Sequence, residues 1–177
     1  MVNKLLMFFT YVIFFILALM YFTPKTSLYY MLEKELKKYD VVISGEKVHD
    51  NGFSLSLEGS NLYVKEIESA HLKELDVKLF ALYNAVNVQD ITLSDVAGSF
   101  IPVKIKNADV TYSVFNPLNV QIQAKGDFGV ASGELSILDR KLHLTVTPSE
   151  LMKKNHLSTM RQLKKQKDGS YSYDKTF

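Results

Sequence analysis

The sequence predicts a mainly β protein, in which one N-terminal transmembrane helix precedes a curved antiparallel β-meander of about nine or ten strands with short flanking helices. One observation is an uncharged apolar run over residues 5–22. Another is the alternation of apolar and polar residues from Val41 to Val146. No helical pattern of about 10–15 residues separates these strands, which excludes a parallel βαβ architecture. Such a sheet buries its apolar face as an open groove or by a sandwich-like closure.

The apolar run is long enough to span a bilayer. Residues 5–22 number 18, and as a helix they reach about 27 Å, close to the hydrocarbon thickness. A cleaved signal peptide is the alternative, but its apolar region is shorter and ends in a small-x-small site. Here Met20, Tyr21 and Phe22 stand where the peptidase requires small residues. We therefore predict an uncleaved anchor at residues 5–22, preceded by a cytoplasmic stub at residues 1–4.

The charges around the anchor conflict with its export-signal form. Lys4 precedes the run, whereas Lys25, Lys34, Lys37 and Lys38 follow it. The positive-inside rule, applied to this count alone, places the following domain in the cytoplasm. One lysine followed at once by a long apolar run is instead the form of an export signal. We expect a single-pass protein of the bacterial inner membrane, with its domain in the periplasm.

The chain after the anchor divides into four segments. Residues 23–39 carry leucines at helical spacing with lysines and glutamates between them, which predicts an amphipathic connecting helix. Residues 40–148 are the antiparallel β domain. Residues 149–167 predict a second amphipathic helix with Ser149 as its N-cap, and residues 168–177 predict a short terminal strand or tail. We expect both helices to cover the sheet, and a position on the membrane surface is the alternative for each.

Within the β domain, the alternation predicts which side chains face inward. The apolar positions change phase between Leu72 and Leu75, which predicts a bulge or break near Lys73 and Glu74. The run Phe80–Tyr83 is apolar throughout and is interpreted as a buried corner. The side chains expected to line a core or a lipid groove are Phe53, Leu55, Leu57, Leu75, Val77, Leu79, Val120, Ile122, Leu142, Leu144 and Val146.

The sequence contains no familiar catalytic motif. A Walker loop, a G-x-G-x-x-G loop, a G-x-S-x-G elbow and an H-E-x-x-H helix are all absent. The four histidines are isolated, and the lack of cysteine excludes disulfides and thiolate metal sites. We predict no catalytic residue, no cofactor and no metal site, and hence a protein that is not an enzyme.

The charge is small overall and uneven along the chain. A formal net charge of +2 argues against a nucleic-acid partner. Residues 150–177 carry seven basic and three acidic side chains, whereas residues 23–149 carry 13 and 16. The C-terminal helix therefore offers a candidate basic surface at Lys154, Arg161 and Lys165. This surface either meets anionic headgroups or an acidic partner, or simply remains solvated.

Three stretches carry a resemblance to a known family. They are Phe22-Thr23-Pro24 with the helix after it, residues 72–93 with HLKELDVKL and NVQDITL around an apolar corner, and residues 126–148, GDFGVASGELSILDRKLHLTVTP. In this layout the chain resembles the inner-membrane protein N of the type II (general) secretion pathway and the related AsmA-type envelope proteins. The resemblance implies a periplasmic domain, a non-enzymatic role in the envelope or secretion machinery, and contact with lipids.

These expectations leave three hypotheses for function. The first is a component of an envelope or secretion machine that acts by protein–protein contacts through its sheet edges. The second is a lipid-handling module whose apolar sheet face forms a groove for phospholipid or lipopolysaccharide. The third is an enzyme, for which the sequence offers no residue to test first.

Overall fold

The structure is a computed structural model that describes residues 2–80 and 82–177. Helix α1 spans Val2–Phe22, and α2 follows at Lys25–Lys37. Among the described helices, only α1 is long and apolar enough to cross a membrane, and none of its stretch Asn3–Phe22 is buried. A membrane anchor and a signal sequence share this length and composition.

Eleven strands form one antiparallel sheet, so the predicted mainly β fold is confirmed, with slightly more strands than expected. The strands are β1 (Val41–Ser44), β2 (Lys47–Asp50), β3 (Ser54–Val64), β4 (Ile67–Leu79), β5 (Tyr83–Leu93), β6 (Lys104–Ser113), β7 (Asn119–Gly126), β8 (Gly129–Ser136), β9 (Lys141–Pro148), β10 (Lys164–Lys165) and β11 (Tyr171–Thr176). From β3 to β9 each strand pairs with the next, which makes a meander. Strands β1 and β2 both pair with β3, and β11 lies between β9 and β10. All the described strands belong to this sheet, so the sandwich-like alternative is not formed.

The two faces of the sheet differ in chemistry. Directly opposed residues of antiparallel strands lie on the same face, so the pairing defines rows across the sheet. One row of the inner face consists of Leu55, Val77, Val86, Val110, Ile122, Gly133, Leu144 and Tyr173. The neighbouring row of the outer face consists of Ser56, Asp76, Asn87, Asp109, Gln123, Ser132, Thr145 and Ser172. The sheet is therefore apolar on its inner face and polar on its outer face.

In four strands, the alternation of inward and outward side chains shifts by one residue, and the four shifts lie on one line across the sheet. This line, which we call the phase-change row, consists of the opposed and exposed residues Gly59, Lys73, Asp90 and Lys106. Gly59 and Asp90 have φ values of +67° and +49°, in the left-handed region. Lys73 Nζ lies 3.1 Å from Asp90 Oδ2. The irregularity predicted near Lys73 is thus present, and it extends across β3 to β6.

Helices cover the inner face at two places. Helix α2 covers strands β3 and β4, where the buried cluster consists of Tyr29, Leu55, Leu57, Ala70, Leu72, Leu75 and Ile91. The second cluster joins Phe128 to Met152 and Met160. Between these covers, the inner face of β6 to β9 is only partly buried, and Val110 is 38% exposed.

The predicted continuous helix at 149–167 is wrong. Helix α4 spans Glu150–Asn155, with Ser149 as its N-cap as expected, and a short α5 spans Leu157–Met160. His156 separates them at φ −121° and ψ 46°, outside the helical region. After α5 the chain becomes extended, and β10 pairs with β11. At this break the chain turns back over the sheet. As a result, Met152 of α4 and Met160 of α5 both pack in the same small core.

The predicted buried corner at Phe80–Tyr83 is wrong at Leu82 and Tyr83, whereas Phe80 is partly buried. Leu82 and Tyr83 are exposed, and Ala81 lies outside the described residues. The segment is the turn between β4 and β5, and it lies at the end of the sheet next to α1. We call this end, which also carries the β2–β3, β6–β7 and β8–β9 turns and Phe177, the lower end.

A short helix, α3, spans Asp95–Gly98 in the connection between β5 and β6, at the opposite, upper end of the sheet. Ser94 caps it by accepting a hydrogen bond from the Ala97 amide.

Candidate functional site

An apolar cavity of about 420 Å³ lies where α1, α2 and the lower end of the sheet meet. We call it the lower cavity. Its walls are Ile16, Leu19, Met20, Thr23, Leu28, Leu79, Phe80 and Asn84. The last two turns of α1 therefore form one side of the cavity, and the end of the β4–β5 hairpin forms the other.

A second apolar cavity of about 180 Å³ lies between α2 and the inner face of the sheet. We call it the upper cavity, and its walls are Lys25, Leu28, Tyr29, Leu32, Leu55, Val77 and Leu79. Leu28 and Leu79 belong to the walls of both cavities. The two cavities thus share part of their walls and lie next to each other, between the side of α1 and the closed core.

Three polar side chains in the walls, Thr23, Lys25 and Tyr29, are bonded to other groups of the protein, and Asn84 adds an amide to the wall of the lower cavity. Lys25 is 1% exposed, and its Nζ donates to the carbonyl oxygens of Met20 (2.9 Å), Thr23 (3.2 Å) and Tyr21 (3.4 Å). This places a cation at the C-terminal end of α1, where the helix dipole and the unpaired carbonyls favour one. The Thr23 hydroxyl donates to the Leu19 carbonyl at 2.6 Å.

Tyr29 makes the one described polar contact between α2 and the β1–β2 connection. Its hydroxyl donates to Glu46 Oε1 at 2.9 Å. Burial, and then the hydrogen bond to this carboxylate, raise the pKa of Tyr29 well above its ordinary value. Tyr29 therefore stays neutral, and its ring forms part of the apolar wall.

A close aromatic contact joins α1 to the β2–β3 turn. The rings of Tyr21 and Phe53 lie edge to face with centroids 5.4 Å apart. Gly52 has φ +79°, and a Cβ atom at this position would collide with the Tyr21 ring. Glycine thus serves both the turn and the close approach of α1 to the sheet.

The predicted groove residues lie in different parts of the structure. Val77, Leu79 and the 1% exposed Leu55 lie in the walls of the upper cavity, whereas Phe53 is exposed in the β2–β3 turn and contacts Tyr21. Leu57 and Leu75 are buried in the closed core. The remaining five, all partly buried, lie on the inner face of β7 and β9: Val120, Ile122, Leu142, Leu144 and Val146. The structure thus does not bring the predicted residues into one groove.

Sequence reasoning missed the helical walls of the cavities. Ile16 and Leu19 were assigned to the anchor alone, and Leu28 and Leu32 were assigned to an amphipathic helix that covers the sheet. The spacing of Leu28 and Leu32 marks an apolar helix face. It carries no sign that this face leaves a gap against the sheet.

The candidate basic surface is divided among three elements. Lys154 lies in α4, Arg161 follows α5, and Lys165 lies in β10. All three side chains are exposed. The break at His156 removes the single helical face on which they were expected to lie.

Two ionisable side chains, Lys25 and Tyr29, lie in the wall of the upper cavity, and both are bonded to other groups of the protein. Within residues 2–80 and 82–177, no group of three His, Asp or Glu side chains is placed to hold a metal ion. His143 Nδ1 lies 2.7 Å from Asp174 Oδ1 on the outer face, and this hydrogen bond lowers the pKa of Asp174. The mainly apolar walls of the cavities can accommodate apolar groups.

The comparisons with known proteins leave the chain without an assigned relative. No protein-family model, curated protein or solved structure matches it. The resemblance to the secretion pathway protein N and the AsmA-type proteins therefore stays a prediction.

Proposed function

We propose that the protein is a membrane-tethered, non-enzymatic lipid-handling module of the cell envelope, which accepts a lipid acyl chain between its helices and its sheet. The observation that carries the proposal is the pair of adjacent apolar cavities between α1 and the closed core. In this proposal α1 is an uncleaved anchor that spans the inner membrane. The lower cavity then opens beside the acyl chains of the same bilayer.

The chemistry of the walls favours an acyl chain over a peptide or a polar metabolite. Leucine, isoleucine, valine and phenylalanine side chains dominate both cavities, and Lys25, Thr23 and Tyr29 already have bonding partners. A peptide would bring many backbone amides and carbonyls, for which the walls offer one amide side chain, Asn84, and each buried group left unpaired would cost about 1–3 kcal/mol. A hydrocarbon chain brings none.

The partly buried inner face of β7 to β9 extends the apolar surface beyond the cavities. Val110, Ile122 and Leu144 lie in the same row of the sheet as Leu55 and Val77. An acyl chain that enters beside α1 can thus contact two apolar surfaces, the walls of the cavities and the inner face of β7 to β9. Phospholipid and lipopolysaccharide both supply such chains.

Crosslinking with a photoreactive phospholipid tests the proposal in the full-length protein reconstituted in nanodiscs. A reactive group in the acyl chain should label Leu32 and Val77, in addition to outward-facing residues of α1 such as Phe14. Leu79 lines both cavities, so Leu79→Trp should occupy part of their volume and reduce the labelling at Leu32 and Val77, while Phe14 is labelled as before. Leu151→Trp, at an exposed position on α4, is the matched control. Labelling confined to α1 would refute the proposal.

A second candidate function is protein–protein contact within an envelope or secretion machine, and the exposed side of β11 favours it. Strand β10 pairs only with Tyr171 and Ser172. Residues 173–176 of β11 pair with β9 on one side and, among the described residues, with no strand on the other. An edge of this kind can accept a strand from another protein. A photoreactive side chain at Lys175 in intact cells should then crosslink to envelope or secretion proteins, and one at Thr147 should not.

The orientation of the domain is part of the proposal and has its own test. We propose that the β domain lies in the periplasm, as the export-signal form of α1 suggests. A reporter enzyme that is active only outside the cytoplasm, fused after Phe177, should be active. A cytoplasmic readout would refute the envelope role in both of its forms.

A further inference from the structure

A row of exposed apolar side chains follows the lower end of the sheet. Each turn at this end contributes at least one of them, and the chain terminus adds another. We call the row the apolar ridge, and it consists of Phe53, Leu82, Val114, Phe115, Leu118, Ile137, Leu138 and Phe177. Phe115 is 84% exposed and Leu138 is 73% exposed. A contiguous apolar surface of this kind marks a contact site in a water-soluble domain.

Hydrogen bonds between neighbouring turns hold the ridge together. The Val114 amide donates to the Leu82 carbonyl at 3.1 Å, and the Ile137 amide donates to the Leu118 carbonyl at 2.8 Å. The Phe177 amide donates to the Arg140 carbonyl at 3.0 Å. These bonds connect the successive turns from β4 to the terminus. The turns from β4–β5 to the chain terminus are therefore linked into one edge by backbone hydrogen bonds.

The position of α1 identifies what the ridge faces. Tyr21 contacts Phe53 at one end of the ridge, and Ile16 lies in the same cavity wall as Phe80. Ile16 precedes the last helical residue, Phe22, by six positions, which corresponds to about 9 Å along the helix axis. If α1 spans a bilayer, the lower end of the sheet lies level with the upper part of that span.

The charges at the lower end suit a membrane surface. Arg140, Lys141 and Lys175 lie beside the ridge, and Lys175 Nζ sits 5.3 Å from the centroid of the Phe177 ring. Three acidic groups at this end have partners within the protein: Asp139 accepts from the Ser136 hydroxyl, Asp50 accepts from the Gly52 amide, and Asp174 is bonded to His143. Basic side chains next to exposed aromatic and aliphatic ones are typical of a surface that meets lipid headgroups and the acyl chains beneath them.

We propose that the apolar ridge inserts into the surface of the bilayer that α1 spans, so that the sheet stands on the membrane along its whole lower end. This contact rests on α1 spanning a membrane and does not require a lipid in the cavities. It also explains why the lower cavity, open at the same level, would face acyl chains and not water.

Tryptophan fluorescence tests the contact without background, because the chain contains no tryptophan. The full-length variants Phe115→Trp and Leu138→Trp are reconstituted in liposomes whose phospholipids carry bromine on their acyl chains. Both tryptophans should emit at shorter wavelength than free tryptophan in water and should lose emission to the bromine. The matched control is Phe100→Trp, an aromatic position of 58% exposure at the upper end. Its emission should stay at long wavelength and unquenched.

Three outcomes would overturn the proposal. An unquenched tryptophan at residue 115 or 138 would place the ridge in water or against a protein. Equal quenching at residue 100 would remove the distinction between the two ends. Quenching that persists in detergent micelles with one brominated lipid per protein would assign the signal to a bound lipid. Failure here leaves the acyl-chain crosslinking at Leu32 and Val77 as an independent result.

Discussion

The inner face of the sheet is closed over strands β3 to β5 and open over strands β7 to β9, although both halves present the same alternation of apolar side chains. In the first half, α2 lies over Leu55 and Leu57, which are 1% and 0% exposed. In the second half, Ile122 and Leu144 are only partly buried, because α4 and α5 cover just the upper rows of that half. The same sequence pattern thus builds a core in one place and an accessible surface in another.

The phase-change row explains part of this difference. It runs from β3 to β6, and inward side chains there follow one another at i and i+3, as in Leu72 and Leu75. Bulge-like irregularities of this kind increase the local twist and bend of a sheet. Strand β8 keeps its regular alternation, with Ala131, Gly133 and Leu135 on the inner face. The irregular half carries the closed core, and the regular half stays open.

The largest expected effect separates the closed half from the open half. Leu57→Ala should lower the free energy of unfolding by about 3 kcal/mol, because it leaves a cavity in a fully buried cluster. The same truncation at Leu142, in the open half, should cost about 1 kcal/mol, since part of the side chain already contacts solvent. Urea unfolding of the full-length protein in detergent micelles, followed by circular dichroism, measures both. Equal losses would show that the inner face is equally closed in its two halves.

Glycine substitutions in the two halves should lower stability for different reasons, steric collision in the open half and backbone strain in the closed half. A Cβ atom on Gly133 would collide with the Leu144 side chain and the His143 carbonyl, so Gly133→Ala should cost about 1–3 kcal/mol by overpacking. Gly59, in the phase-change row, has open space around it and φ +67°. Gly59→Ala should therefore cost about 1 kcal/mol through backbone strain alone.

The control for this pair is asparagine, which tolerates the left-handed region better than alanine. Gly59→Asn should lose less stability than Gly59→Ala, whereas Gly133→Asn should lose at least as much as Gly133→Ala. The same urea titrations provide the measurement. If Gly133→Asn instead loses less stability than Gly133→Ala, steric collision is not the reason that Gly133 cannot be replaced.

Much of the closed half follows from the sequence, and the coverage of the sheet does not. The alternation around Leu55, Leu57 and Val77 predicted their common face, and the shift near Lys73 predicted the irregularity. Alternation reports which face a side chain takes, but it carries no information about what lies above that face. For this reason the predicted groove residues were divided between a closed core, a cavity wall and an open surface.

The two misplaced segments have a related cause. At 149–167 the helical spacing of apolar residues was correct for Met152 and Met160, but it could not report that His156 interrupts the helix. At Phe80–Tyr83 the apolar run was read as burial because soluble domains usually bury such runs. The exposed side chains of Leu82 and Tyr83 are what a domain standing on a membrane would present at its lower end.

The smallest expected effect concerns the contact that fixes α2 over the closed half. Tyr29→Phe removes the hydrogen bond to Glu46 and should cost about 1 kcal/mol at neutral pH. Tyr30→Phe is the matched control, because the neighbouring ring is 53% exposed, and it should leave stability unchanged. Urea unfolding at neutral pH compares the two variants directly.

The stabilisation by the Tyr29 hydrogen bond should decrease as the pH rises, whereas stabilisation by packing alone would not depend on pH. In the unfolded chain a tyrosine ionises near pH 10, whereas burial and Glu46 raise the pKa of Tyr29 in the folded protein. Above about pH 10 the unfolded state binds fewer protons, so this contribution is fully present at lower pH and declines as the pH rises. The stability difference between the protein and Tyr29→Phe should therefore narrow at about pH 11, while Tyr30→Phe keeps following the unmodified protein. A difference that stays constant with pH would mean that Tyr29 holds α2 over the sheet by packing alone, and the closed half would then owe its cover to apolar contact without the polar contact at Glu46.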